Sequence, residues 1–97
     1  MDIIYQLQGV AFAWDIDKAQ SNIEKHGVTF EEAAEVFFDP FYQTGDAAEE
    51  GEPREFILGY SLVPRLLLVV YIERGERTRI ISARPATRYE RKLYEEA

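Results

Sequence analysis

The spacing of apolar and polar positions divides the chain into helical and extended segments. Between Asp15 and His26, Ile16, Ala19 and Ile23 recur at i, i+3 and i+7, while Asp15, Lys18, Asn22, Lys25 and His26 fall on another face. This predicts a helix over 15–26, with Asp15 as its N-cap and Gly27 leaving it in a left-handed conformation. Ile16, Ala19 and Ile23 are the face expected to pack on a core. Thr29-Phe30-Glu31-Glu32 has the order of a capping box and opens a second helix over 29–38. Its apolar stripe is Phe30, Ala33, Ala34 and Phe37, and Asp39-Pro40 ends it.

Extended patterns dominate the second half. Phe41 to Thr44 reads as a short strand, and Gly45 to Pro53, with Asp46, Glu49, Glu50 and Glu52, as an acidic loop. Glu55 to Tyr60 is a strand, and Val63-Pro64 marks a turn. Leu66 to Glu73 is almost wholly apolar and β-prone, as expected of a central strand covered on both faces. Thr78 to Ala83 follows after Arg74-Gly75-Glu76, with Ile80 and Ser82 on one face by simple alternation and Arg79, Ile81 and Ala83 on the other. Thr87-Arg88-Tyr89-Glu90 has the order of a second capping box and opens a C-terminal helix. A strand, two helices, three or four strands and a helix predict an α+β fold: a mainly antiparallel sheet of three to five strands with helices against it. Residues 1–97 are read as a single domain, since that length leaves no room for a second core.

Composition narrows the chemistry. The chain has no Cys and one His, which excludes thiol nucleophiles, disulfides and His- or Cys-rich metal sites. The longest apolar run is too short for a membrane span, and Met1 to Val10 lacks the character of a signal peptide. The expectation is a soluble, cytoplasmic protein. Net charge is −7, but its distribution is uneven: residues 74–97 hold Arg74, Arg77, Arg79, Arg84, Arg88, Arg91 and Lys92 against four carboxylates. Arginine suits bidentate phosphate contact, so a basic end on an acidic body can hold RNA while the body discourages loose binding.

Two clusters are candidates for function. Lys18, Asn22, Lys25 and His26 share a helix face that could meet an anion; the ordinary explanation is a solvated face with cations at a helix C-terminus. Arg88, Arg91 and Lys92 line the last helix, with Arg84 at the strand–helix junction. Trp14 could stack a base, although a lone Trp is more commonly core.

The residues Trp14-Asp15 … Lys18 … Asn22 … Lys25-His26-Gly27-Val28 … Phe30 … Ala33 … Val36-Phe37 … Asp39-Pro40 resemble the opening signature of the BrnT family. Gly59, Arg65 to Tyr71, and Arg79-Ile80-Ile81-Ser82-Ala83-Arg84 … Ala86-Thr87 … Glu90-Arg91 … Tyr94 resemble its later blocks, so the similarity covers about residues 12–95. The resemblance implies a RelE-like fold and a ribonuclease toxin of a type II toxin–antitoxin system. It also implies a small DNA-binding antitoxin of the BrnA type as partner. The chain departs from the family pattern in its acidic balance and in its first ten residues, which precede that pattern.

For such a protein the implied reaction is attack of a ribose 2′-OH on the adjacent phosphate, with no metal and no cofactor. His26 is the candidate for proton transfer and Lys25 a neighbouring cation. Arg79 and Arg84 are candidates for bidentate transition-state contacts, with Glu90 orienting an arginine or acting as base. Lys18, Arg88, Arg91 and Tyr94 are candidates for RNA binding, and Arg54 and Arg65 for an extension of that surface. The two clusters are expected to converge on one phosphate. The alternatives are a catalytically weak antitoxin-binding protein of the same fold, and an α+β binding domain with no RNA role. Oligomeric state is not legible, a dimer within the toxin–antitoxin complex being one arrangement.

Overall fold

A computed structural model describes residues 1–47 and 51–97. A six-stranded sheet runs in the order β1-β2-β6-β5-β4-β3. The strands are β1 (Asp2–Leu7), β2 (Val10–Asp15), β3 (Gln43–Asp46), β4 (Glu55–Tyr60), β5 (Leu66–Arg74) and β6 (Arg77–Pro85). Helices α1 (Ile16–His26) and α2 (Phe30–Glu35) lie between β2 and β3, and α3 (Arg88–Glu95) closes the chain. All neighbouring strands are antiparallel except β2 and β6, which are parallel. The sheet is therefore mixed, and it has more strands than the three to five expected.

The extra strand comes from the N-terminus, where β1 and β2 form a hairpin. Its turn, Gln8-Gly9, has positive φ at both residues, 48° and 81°. That is the conformation of a two-residue turn matched to the twist of the flanking strands. Gln-Gly is a weaker signal for it than Asn-Gly, and the strand pair was not evident from the pattern.

The caps form where the sequence places them. The Asp15 side chain accepts from the N–H groups of Asp17 and Lys18, and Gly27 takes φ 67°. Thr29 accepts from the Glu32 N–H, but the Glu32 carboxylate turns away to Arg65 and Ser61, so only half of the expected capping box exists. The second helix stops at Glu35 and tightens into a 3-10 turn over Val36–Phe38. That shift makes Val36, rather than Phe37, the fully buried residue there. The turn approaches β4 so closely that a Cβ on Gly59 would lie 3.1 Å from Val36 Cγ1 and Asp39 Oδ2.

One face of the sheet carries the core, built from Phe12, Trp14, Ile57, Leu67, Val69, Tyr71, Ile80 and Ala83 against Val28, Phe30, Ala33, Ala34 and Val36. Trp14 is 2% exposed and packs edge-on against Phe30, so its place is structural. The opposite face is covered in part by α3, which packs near β4. In β5, Leu67 and Val69 are fully buried while Leu68 and Val70 on that second face are half-buried.

The packing of α1 reverses the expectation. Ile16 and Ile23 are 41% and 40% exposed, and the helix buries Asn22. The Asn22 amide donates to the Val28 and Ala83 carbonyls at 2.9 and 2.8 Å, and its oxygen accepts from the Ala83 N–H at 3.1 Å. The parallel register of β2 with β6 runs only from Ala11–Arg77 to Ala13–Arg79, so beyond it β6 has an edge with no strand beside it. Leaving a buried backbone group unpaired costs about 1–3 kcal/mol each. Half-exposing two isoleucines forfeits only about 1 kcal/mol apiece. The hydrogen bonds outweigh the apolar stripe, and the helix turns its polar face to the sheet.

Asn22→Leu, which keeps the volume and removes all three bonds, is expected to lower unfolding free energy by about 3 kcal/mol or more. Urea denaturation measures it. A change below about 1 kcal/mol, the net worth of one ordinary hydrogen bond, would mean that the amide is not what holds α1 to β6.

Candidate functional site

The polar stripe of α1 faces the second half of β6 across a shallow cleft of ≈ 170 Å³. Lys18, Ser21, Asn22, Lys25 and His26 line it from the helix, and Ile81 and Ser82 from the strand. None of these residues is a carboxylate, in a chain whose net charge is −7. Lys18, Lys25 and His26 are exposed. Among the described residues none of the three forms an ion pair.

Ser82 was not among the expected site residues. It reaches the cleft through a β-bulge: Tyr71 pairs with Ile80 and Val70 with Ser82, which leaves Ile81 as the additional residue. A bulge shifts the alternation of the strand and re-aims its side chains. Ile80 and Ala83 are consequently both on the core face, while Arg79, Ser82 and Arg84 pair with Ile72, Val70 and Leu68 on the other. Strict alternation had grouped Ile80 with Ser82 and Arg79 with Ala83. No glycine or other residue in Ile80-Ile81-Ser82 marks the bulge in the sequence.

The arginines expected to meet His26 do not line this cleft. Arg84, at the end of β6, donates from both terminal nitrogens to the two Glu90 oxygens at 2.8 Å each. Glu90 Oε1 also accepts from the Thr87 N–H at 2.9 Å, and Thr87 Oγ1 accepts from the Glu90 N–H at 3.2 Å, so this capping box is complete. The Arg84 hydrogen bond holds the Glu90 carboxyl below the ordinary range against the opposing effect of burial. Glu90 is therefore an ionised partner that fixes Arg84, with its lone pairs engaged. Arg79 points to a different pocket, where it is bound by Asp2.

The last helix is anchored chiefly through Tyr94. Its hydroxyl donates to Asp39 Oδ2 at 2.6 Å and its ring meets Tyr60 edge-on at 5.3 Å. Burial, then the Asp39 hydrogen bond, pushes the phenol up to about 12, so it stays protonated near neutrality. Arg91 donates to the Tyr60 hydroxyl at 3.0 Å, while Arg88 and Lys92 are exposed and have no ion-pair partner among the described residues.

Arg65, expected to extend the binding surface, is structural. Its Nε donates to Glu32 at 2.9 Å and its Nη2 to the Gly27 carbonyl at 3.1 Å, which joins the turn between α1 and α2 to the start of β5. Arg54 pairs with Glu52. Of the acidic loop expected over 45–53, Gly45 and Asp46 belong to β3, and Glu49 and Glu50 lie outside the described residues. Among the described residues no three His, Asp or Glu side chains converge as a metal set, and no helix is long and apolar enough to cross a membrane.

Residues 14–90 match the family described as "Ribonuclease toxin, BrnT, of type II toxin-antitoxin system". The fold is similar to the 1.1 Å crystal structure of the Brucella abortus ribonuclease toxin BrnT, with a TM-score of 0.62 and 23% identity. The similarity covers 77% of this chain and 94% of that one. No curated protein matches the chain. β1 and the first residues of β2 lie ahead of the family match.

The ion pairs at the two helix starts set an acid limit on stability. The Arg65 hydrogen bond lowers Glu32 and the Arg84 hydrogen bond lowers Glu90, each from an ordinary value of 4.5. A depressed carboxylate contributes fully above its unfolded value and loses that contribution as pH falls through the folded one. The unfolding temperature should thus hold from neutrality down to about pH 5 and drop below 4.5. Glu90→Gln should cost about 1–2 kcal/mol at neutral pH and make the acid limb shallower, in thermal melts followed across that range. An acid limb parallel to that of the unaltered protein would remove Glu90 from the account.

Proposed function

This chain belongs to the BrnT family of ribonuclease toxins of type II toxin–antitoxin systems, and we propose that it cleaves RNA at the cleft between α1 and β6. The observation that carries the reading is the composition of that cleft: two lysines, the histidine, two serines and an asparagine, with no carboxylate, in an acidic chain. A phosphodiester is the ligand such a lining favours, because each cation stabilises the charge that builds on phosphorus oxygens.

The proposed reaction is transfer within the RNA chain. His26 takes the proton of a ribose 2′-OH as that oxygen attacks the adjacent phosphorus. The bond to the 5′-oxygen breaks, and that oxygen leaves with a proton from Lys25 or from water. The products are a 2′,3′-cyclic phosphate and a 5′-hydroxyl, and no metal or cofactor enters the step. Lys18 and Lys25 meet the non-bridging oxygens, and the Ser82 hydroxyl donates to one of them. Arg84, two residues beyond Ser82, is held by Glu90 as a preorganised cation for the neighbouring phosphate, and Glu90 is its positioning residue. Arg88, Arg91 and Tyr94 lie on the helix that would guide the RNA past it.

The same reading takes residues 1–97 as one domain of RelE-like fold and places the protein in the cytoplasm with a BrnA-type antitoxin as its neutralising partner. Exposed Phe41, Leu62 and Val63 offer apolar surface to such a partner. A second reading, an antitoxin-binding protein with weak catalysis, is favoured by one feature: Arg79 and Arg84 are both engaged by carboxylates in bidentate pairs.

His26→Ala should lower cleavage of single-stranded RNA by roughly a hundredfold and Lys25→Ala by roughly tenfold, as loss of a proton-transfer group or a charge-stabilising one does. Thermal melts should stay unchanged, because both side chains are exposed. Expression of the unaltered protein should arrest growth and the His26→Ala variant should not. Full cleavage by both variants would move the chemistry out of this cleft. Absence of cleavage and of growth arrest, with tight antitoxin binding retained, would favour the second reading.

A further inference from the structure

Arg79 lies in its own pocket on the sheet face opposite the main core. It is level with Ala13 of β2 and Ile72 of β5, and a pocket of ≈ 160 Å³ there is lined by Asp2, Ala13, Arg74, Arg77 and Arg79. Both terminal nitrogens of Arg79 donate to the two Asp2 oxygens at 3.0 Å. This fork is the geometry by which a guanidinium holds either a carboxylate or a phosphate. The bridge crosses the row of Ala13, whose small side chain leaves room for it and is 5% exposed.

Three guanidiniums line this pocket with one carboxylate, Asp2, which only Arg79 contacts, while Asp15 acts on Arg79 through its charge without a hydrogen bond. Arg74 and Arg77 are directly opposite each other at the end of the β5–β6 hairpin, and neither has an ion-pair partner among the described residues. Like charges directly across a strand pair destabilise a sheet, so folding alone does not favour this arrangement. An anion larger than one carboxylate would relieve it. The Asp2 side chain is 54% exposed, so it can leave without opening the core. Its backbone position is secured separately, by the Met1 carbonyl accepting from the Ile16 N–H at 2.9 Å. Asp2 stands ahead of residues 14–90, outside the family match.

We propose that Arg74, Arg77 and Arg79 form a phosphodiester subsite for an RNA strand, and that Asp2 occupies its Arg79 position until RNA displaces it. The proposal rests on the RNA-cleaving reading and adds a second contact area, distinct from the cleft under α1. Displacement exchanges one bidentate pair for another and gains Arg74 and Arg77. Asp2 thereby weakens binding of a lone phosphate group more than binding of a chain that can engage all three arginines.

The test uses a fluorescein-labelled 2′-O-methyl oligoribonucleotide, which cannot undergo 2′-OH attack, and reads fluorescence anisotropy over a salt series at neutral pH. Asp2→Asn should tighten binding by roughly threefold or more, because it frees Arg79. Arg74→Gln and Arg77→Gln should each weaken binding by roughly threefold to tenfold and lower the slope of log affinity against log salt by about one. The two arginine variants keep the fold, since both side chains are exposed and unpaired, so they test the subsite even if Asp2→Asn loosens β1. Affinities and slopes equal to those of the unaltered protein in all three variants would overturn the subsite, as would no binding of the oligonucleotide by the unaltered protein. Cleavage of unmodified RNA, followed in parallel, judges the ribonuclease reading separately: arginine variants that cleave normally and bind normally leave that reading standing and remove this one.

Discussion

The Asn22 side chain is the tie on which the arrangement of helices and sheet depends. One amide joins three backbone groups: the Val28 carbonyl at the entry to α2, and the carbonyl and N–H of Ala83 on β6. It substitutes for the strand that β2 ceases to be once the chain turns into α1. By doing so it sets the rotation of α1, brings Lys18, Lys25 and His26 over β6, and leaves Ile16 and Ile23 half exposed. The energetic ordering is clear, because unpaired buried backbone groups cost more than partly solvated aliphatic ones. A cationic cleft therefore arises from the same interaction that protects a sheet edge.

The chain is acidic, yet several carboxylates that contact arginines organise positive groups. Glu32 holds Arg65 across the α1–α2 turn, Glu90 holds Arg84 at the start of α3, and Asp2 holds Arg79 on the far face of the sheet. The first two are partly buried and support architecture. In the third the carboxylate is the exposed member, and the pair lies beside two further arginines with no ion-pair partner among the described residues. Arg65, held by the largely buried Glu32, is accounted for by architecture alone. The cations of the α1 cleft carry more weight for the opposite reason: no acidic side chain lines it.

Much of the local structure could be read from residue order because it depends on short-range chemistry. Asp15, Thr29 and Thr87 cap helices by reaching backbone N–H groups two or three residues on, and Gly27 turns out of α1 at positive φ. The apolar run from Leu66 to Ile72 forms a central strand because few other settings bury it. The lysines and histidine of α1 share a face because helical periodicity requires it. The α+β class and the likeness to BrnT follow from the same level of information.

What the order of residues did not decide was which faces meet. The N-terminal hairpin was hidden because Gln8-Gly9 is a weak turn signal and β1 gains its stability from pairing with β2. The face of α1 that packs was set by an unpaired edge on β6, a feature that exists only once the sheet has formed. The bulge at Ile81 moved Ser82 to the cleft and Arg79 away from Ala83, and one inserted residue is enough to exchange the two faces of a strand. Capping, periodicity and charge were thus fixed by neighbours along the chain. The partners of Asn22, Arg79 and Arg84 were decided in space, because Asn22 and Arg79 find theirs 61 and 77 residues away and Arg84 must follow the turn between β6 and α3.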